Sequence, residues 1–208
     1  MKIAIIGCGY VGSAIADKLH DHEVVRITRT HACDATSPQA LKPYLHDCDT
    51  IILTVPEPAH SLCQVLPATC KQVLFVSSTS VNCNRSIEHA NAEELLKSLP
   101  ITVCIFRCAG IFGPGREIAK RIRPIMPGTG KEVTNHIHVD DIASAFAFAI
   151  DRHLSGVFNL CNDDHPTRAA LYGNVEFDSS KPLRHGCNQI VDNSQIKAAG
   201  FCPKHPLE

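Results

Sequence analysis

Residues 3–19, "IAIIGCGYVGSAIADKL", are a short apolar run that reaches Gly7-x-Gly9-x-x-Gly12 and passes at once into a segment with helical spacing. An apolar strand that turns directly into a helix leaves few folds open, because the pair buries its apolar surface only when the helix packs back on a sheet. Each glycine has its own job in such a turn. Gly7 permits the tight reversal, Gly9 lets a pyrophosphate approach the backbone, and Gly12 lets the helix lie close to the strand. The helix start then offers free N–H groups and positive potential to an anion. The pattern predicts a dinucleotide-binding loop; the plain alternative is a tight turn without ligand.

Further strand-length apolar runs follow at 23–28, 50–55, 72–78 and 101–107, with helical periodicity at 10–20, 38–46, 57–69 and 86–98. This alternation predicts βαβ units and a doubly wound parallel sheet covered on both faces, an α/β fold of Rossmann type. After Arg107 the rhythm changes. Two Gly/Pro-rich loops, "GIFGPGR" and "PIMPGTGK", precede a helix at "VDDIASAFAFAID", which Asp140 or Asp141 is expected to cap. A strand "GVFNL", a turn at "CNDDHP", a helix opening at "TRAALYG" and a last helix near "NSQIKAAGF" complete the chain. At 208 residues this reads as one domain, 1–208, with 111–208 forming a small substrate-side subdomain at the C-terminal end.

A formal net charge of -1 argues against nucleic acid and anionic membranes as partners. The apolar start is broken by Gly7, Gly9 and Gly12, unlike a signal peptide, and a cytoplasmic location is expected. Eleven cysteines are scattered singly, several inside apolar runs such as "ITVCIF", and read as reduced thiols. "HIH" places His136 and His138 on one face of an extended segment, but no third ligand is indicated and no metal site is expected.

The end of the second strand chooses the nucleotide. An acidic residue there would bond the ribose 2′-OH, whereas an Arg suits a 2′-phosphate. Arg29 stands at that place, favouring NADP, and Asp34, 22 residues past Gly12, keeps NAD as the alternative.

Read in order, "GCGYVG", "CDATSPQAL", "CDTIILTV", "FVSSTSV", "FRCAGIFGPGR" and "NHIHVDDIASAF" resemble the extended or atypical short-chain dehydrogenase/reductase superfamily, in particular its NAD-dependent epimerase/dehydratase-like members. The resemblance covers almost the whole chain. It implies that Tyr10 and Val11 of the glycine loop, Thr54 and Val55 at the third apolar run, and Ser77 join Gly7, Gly9, Gly12, Arg29 and Asp34 in holding the cofactor. It also implies catalysis by a Ser or Thr with the Tyr and Lys of a YxxxK motif. Ser78 matches the Ser, with Thr79 or Ser80 next. The residues four places after Tyr10, Tyr44 and Tyr172 are Ala14, Cys48 and Glu176, so no YxxxK exists. Aligning "HANAEELL" puts Arg85 at the Tyr position and His89 at the Lys position; of these His89 is the one able to exchange a proton near neutral pH. The connections after Arg29 and after Val81 are short for the family, the first by about one short strand.

Two functions follow from these residues. One is an NAD(P)-dependent oxidoreductase or epimerase/dehydratase acting on a small hydroxyl or carbonyl compound, sugar-like in some members, with Ser78 and His89 as its catalytic groups. The other is a catalytically silent NADP-binding sensor or assembly module. Arg116 and Lys131 are candidates to hold an anionic group of the substrate at the pocket mouth. The resemblance implies pairing through the helix at about 86–98; Leu95, Leu96 and the adjoining Leu99 are compatible with a homodimer and equally with ordinary packing.

Overall fold

A computed structural model describes residues 1–30, 32–183 and 188–207. Its centre is a six-stranded, all-parallel sheet of β1 (Lys2–Ile6), β2 (Glu23–Ile27), β3 (Thr50–Leu53), β4 (Gln72–Ser78), β5 (Thr102–Cys108) and β9 (Gly156–Leu160), in the order β2-β1-β3-β4-β5-β9. Successive side chains leave the sheet on opposite faces. Ile3, Ile5, Ile52, Leu74 and Phe106 join one core, and Ala4, Ile6, Ile51, Leu53, Phe75 and Ile105 the other. The first core is closed by α1 (Tyr10–Lys18) and α5 (Val139–Asp151), the second by α2 (Pro38–Leu41), α3 (Ala59–Val65) and α4 (Ile87–Lys97). Both faces being covered explains the near-continuous apolar strands.

Beside the sheet, β6 (Gly110–Phe112) pairs with β8 (His136–His138), and β7 (Ile125–Pro127) with β10 (Glu176–Asp178). Two short helices, α6 (Arg168–Tyr172) and α7 (Ser194–Ala198), complete the elements. Among the described residues no helix is long and apolar enough to cross a membrane.

Prolines trim the expected helices. The segment expected at 38–46 is helical only to Leu41 and tightens to a 3-10 turn over Lys42–Leu45 around Pro43, while α3 is confined between Pro58 and Pro67. In a sheet of order 3-2-1-4-5-6 the fourth strand lies beside the first; here β3 takes that place, and β2 is the edge. The short connection after Arg29 has removed one strand.

Neither Asp140 nor Asp141 caps α5. His138 does, its Nδ1 accepting the Asp140 N–H at 3.2 Å, because the chain enters the helix directly from β8 and brings the imidazole to the cap. Asp141 is 2% exposed and accepts the N–H groups of Lys204 and His205, both at 3.0 Å, with His205 Nδ1 at 2.9 Å. It ties the C-terminal segment to the core. Asp141→Ala strands those two backbone donors and should lower stability by about 2 kcal/mol in denaturant titrations; an unchanged midpoint would show that the terminal segment adds nothing to the fold.

Among the described residues nine cysteines are free, and burial pushes Cys70 to about 11 and Cys104 and Cys161 to about 12, as suits inert thiols. Cys83, in the turn after β4, departs from the reduced-thiol expectation, being disulfide-bonded.

Candidate functional site

A cavity of about 830 Å³ opens beyond β1, β2 and β3, where the chain runs from β1 to one side and then the other, the usual ligand crevice of a doubly wound sheet. It is lined by Gly7, Gly9, Tyr10, Val11, Gly12, Arg29, Asp34, Thr54 and Val55. The three glycines are not interchangeable. Gly7 has φ +96°, and a Cβ there would stand 2.5 Å from Thr54 Oγ1, whose hydroxyl donates to the Gly7 carbonyl. A Cβ on Gly12 would stand 2.5 Å from the Gly7 carbonyl oxygen, so the helix lies directly on the loop. At Gly9 nothing lies within 4 Å of the Cβ position, leaving the backbone open to an approaching group.

Gly9 caps α1 without a side-chain acceptor, and the first turn carries no acidic residue. The amides at the helix start are left for a ligand, and the helix dipole favours an anion there. At the far wall, Asp34 accepts the Thr36 hydroxyl at 2.7 Å and the Thr36 N–H at 3.0 Å. Those bonds, with the charge of Arg29, hold its carboxyl below the usual carboxylate range. The exposed Arg29 is left facing the same cavity. Glycine loop, open backbone and Arg29 fit a dinucleotide.

Arg116, expected to hold an anionic group of the substrate, lies beside the glycine loop. Its guanidinium lies 4.3 Å from the Tyr10 ring centroid and lines the glycine-loop cavity. The preceding turn packs so closely that a Cβ on Gly113 would meet the Tyr10 hydroxyl and Val139 at 2.9 Å.

A second cavity of about 280 Å³ lies past the ends of β4 and β5, lined by Ser78, Ser80, Cys108, His136, Arg168 and Tyr172 among others. Ser78 Oγ accepts the Ser80 N–H at 3.2 Å, which leaves its own hydrogen to donate into the cavity. His89 is not brought here. Its ring stacks on Phe75 at 6.0 Å, its Nδ1 pairs with Ser86 Oγ at 2.7 Å, and burial lowers its pKa. Ser77 lies apart from both cavities, its hydroxyl given to Glu93 at 2.6 Å, since alternation along β4 turns it from Ser78. Arg168 and Tyr172 carried no signal in the sequence, because α6 reaches the cavity only through the tertiary fold.

His136 and His138 do share a face, both edge-on to Phe112. A third group arrives from the chain end: ligand atoms of His138, Asp140 and His205 lie within 4.8 Å of one another. The His138 and His205 rings stack at 4.2 Å and 17°, however, so their in-plane lone pairs run side by side instead of converging. With both Nδ1 atoms engaged by Asp140 and Asp141, the trio reads as a cap and a tether.

No family model matches the chain. It is similar to Protein YeeZ of Escherichia coli (strain K12), 24% identical over 272 aligned residues that take in 99% of this chain and 96% of YeeZ. Since the alignment exceeds the 208 residues of this chain, YeeZ carries insertions relative to it. Among solved structures, UDP-glucose 4-epimerase from Thermotoga maritima, determined with UDP-glucose, superposes with a TM-score of 0.78 at 16% identity over 100% of this chain and 95% of that one. The fold is that of the NAD-dependent epimerase/dehydratase-like proteins. MoeE5 in complex with UDP-glucuronic acid and NAD has a TM-score of 0.76 at 17% identity over 100% and 95% of the two chains. RMD from Pseudomonas aeruginosa, complexed with NADPH, has a TM-score of 0.72 at 17% over 100% and 96%. The epimerase/dehydratase fold thus spans the whole chain despite its shortened connections.

Proposed function

We propose that the chain binds a nicotinamide dinucleotide in the first cavity and acts, as an oxidoreductase of the epimerase/dehydratase class, on a small hydroxyl or carbonyl compound in the second. The observation that carries this reading is the pairing of two cavities at the C-terminal ends of the sheet's strands, a glycine-loop crevice past β1 to β3 and a polar one past β4 and β5. The cofactor, when bound, supplies the hydride acceptor or donor. The α1 amides hold its diphosphate, Arg29 holds a 2′-phosphate, and NADP is preferred over NAD. Ser78 polarises the substrate oxygen, and Tyr172, rather than His89, is the phenol within reach of the same cavity to pass a proton. A silent binding module would have no use for the second cavity.

Titrating the protein with NADPH and NADH while following nicotinamide fluorescence tests the reading. NADPH is expected to bind at least about tenfold more tightly, as a charge-assisted hydrogen bond to phosphate implies, and Arg29→Ala should erase that margin. Failure of both nucleotides to bind would overturn it.

A further inference from the structure

The second cavity carries more polar capacity than the protein itself uses. We infer that it is a binding site for a small hydroxy or oxo compound bearing one anionic group, phosphate or carboxylate, which Arg168 anchors. The inference rests on the second cavity being the substrate side of the dinucleotide site.

Charge comes first. Among the described residues, Arg168 is the one Lys or Arg that lines the cavity, and no Asp or Glu lines it. Its guanidinium makes no hydrogen bond or ion pair among the described residues, and its Nε is shielded from solvent without an acceptor. Glu132, whose carbonyl accepts the Arg168 N–H, turns its carboxylate to Thr129 instead, at 2.7 and 2.9 Å. The guanidinium lies 5.1 Å from the Tyr172 ring centroid, and the Thr167 hydroxyl caps the start of α6, so the fork is held in place. A placed, unpaired guanidinium matches the two oxygens of a carboxylate or phosphate.

The remaining groups suit a hydroxyl or carbonyl. His136 is 5% exposed, and its Nδ1 has no partner among the described residues. Burial, with the charge of Arg121, pushes it down to about 4, so at neutral pH the ring adds no second positive charge and offers one neutral hydrogen-bonding nitrogen. Ser78 contributes its free O–H. A buried polar atom left unpaired is unfavourable, and a ligand that satisfies several recovers that cost on binding. At about 280 Å³ the space is small, below the roughly 300–1,000 Å³ of ordinary ligand pockets.

Isothermal titration of the full chain with dihydroxyacetone phosphate, hydroxypyruvate and neutral dihydroxyacetone tests this. The two anionic probes separate phosphate from carboxylate as the preferred group. At least one is expected to bind about tenfold or more tightly than dihydroxyacetone, and Arg168→Gln should remove the difference while leaving NADPH binding intact. As a second measurement on the unaltered protein, raising salt from about 50 to about 500 mM should narrow the same difference. Equal binding of charged and neutral probes, a difference that survives in Arg168→Gln, or no binding of any probe would overturn the inference. A parallel NADPH titration keeps the two readings apart: anion binding without NADPH binding fails the dinucleotide reading alone, and the reverse fails the anion site alone.

Discussion

Glu93→Ala should cost about 3 kcal/mol of stability in denaturant titrations, the usual penalty for breaking a buried ion pair from one side. The Glu93 side chain is 1% exposed, lies on α4 and faces the sheet. It accepts Arg107 Nε at 2.9 Å and Nη2 at 2.6 Å, and the Ser77 hydroxyl at 2.6 Å. Arg107 sits opposite Ser77 in the β4–β5 register and donates onward to Asn82 Oδ1 at 2.7 Å. Truncation therefore leaves a half-buried guanidinium and a buried hydroxyl without their acceptor. Burial by itself would raise the Glu93 pKa, but the hydrogen bonds from Arg107 and Ser77 outweigh it and hold the carboxyl below its ordinary value. A depressed folded-state pKa contributes stability above the unfolded value, about 4.3 for Glu, that is lost as pH falls through the folded one. The gap between the parent protein and Glu93→Gln should therefore shrink below about pH 4. A Glu93→Ala variant within about 0.5 kcal/mol of the parent would mean the network contributes no more than an ordinary surface pair.

That network shows where sequence reading stops. The sheet and glycine loop are legible because their signals are local: short apolar runs of strand length, three glycines in six positions and a helix start within ten residues. Pro43 trims α2 by an equally local rule. Glu93 meets partners 14 and 16 residues away, and Asp141 meets donors 63 and 64 residues away. Neither has a spacing that marks it, so Asp141 reads as a cap and Glu93 draws no reading of its own. Arg116 reads as a substrate contact from its Gly/Pro-rich loop, yet that loop folds back onto Tyr10 and carries it to the glycine-loop cavity. The missing YxxxK directs attention to His89 because it stands near the motif's place in the chain; Arg168 and Tyr172 reach the cavity with Ser78 through α6 instead.

Gly9→Asp should weaken NADPH binding by at least about 100-fold while leaving the protein as stable as its parent, or a few tenths of a kcal/mol more so. The two halves of that result have separate causes. Gly9 has φ −81°, a backbone that any residue adopts, and nothing lies within 4 Å of its Cβ position, so the fold accepts a side chain there. It is also the N-cap of α1 and lacks a side-chain acceptor, which an Asp carboxylate supplies to the amides of the first turn. Those amides are the ones a diphosphate would use. The substitution would fill the anion site with the protein's own charge, blocking the cofactor by occupancy and by repulsion. Gly12→Ala makes the contrast, since its Cβ would stand 2.5 Å from the Gly7 carbonyl oxygen and must push the helix off the loop. It should lower melting temperature and NADPH affinity together. If Gly9→Asp bound NADPH as the parent does, the diphosphate would lie elsewhere; if both variants melted early, the loop would be a structural turn whose glycines serve packing alone.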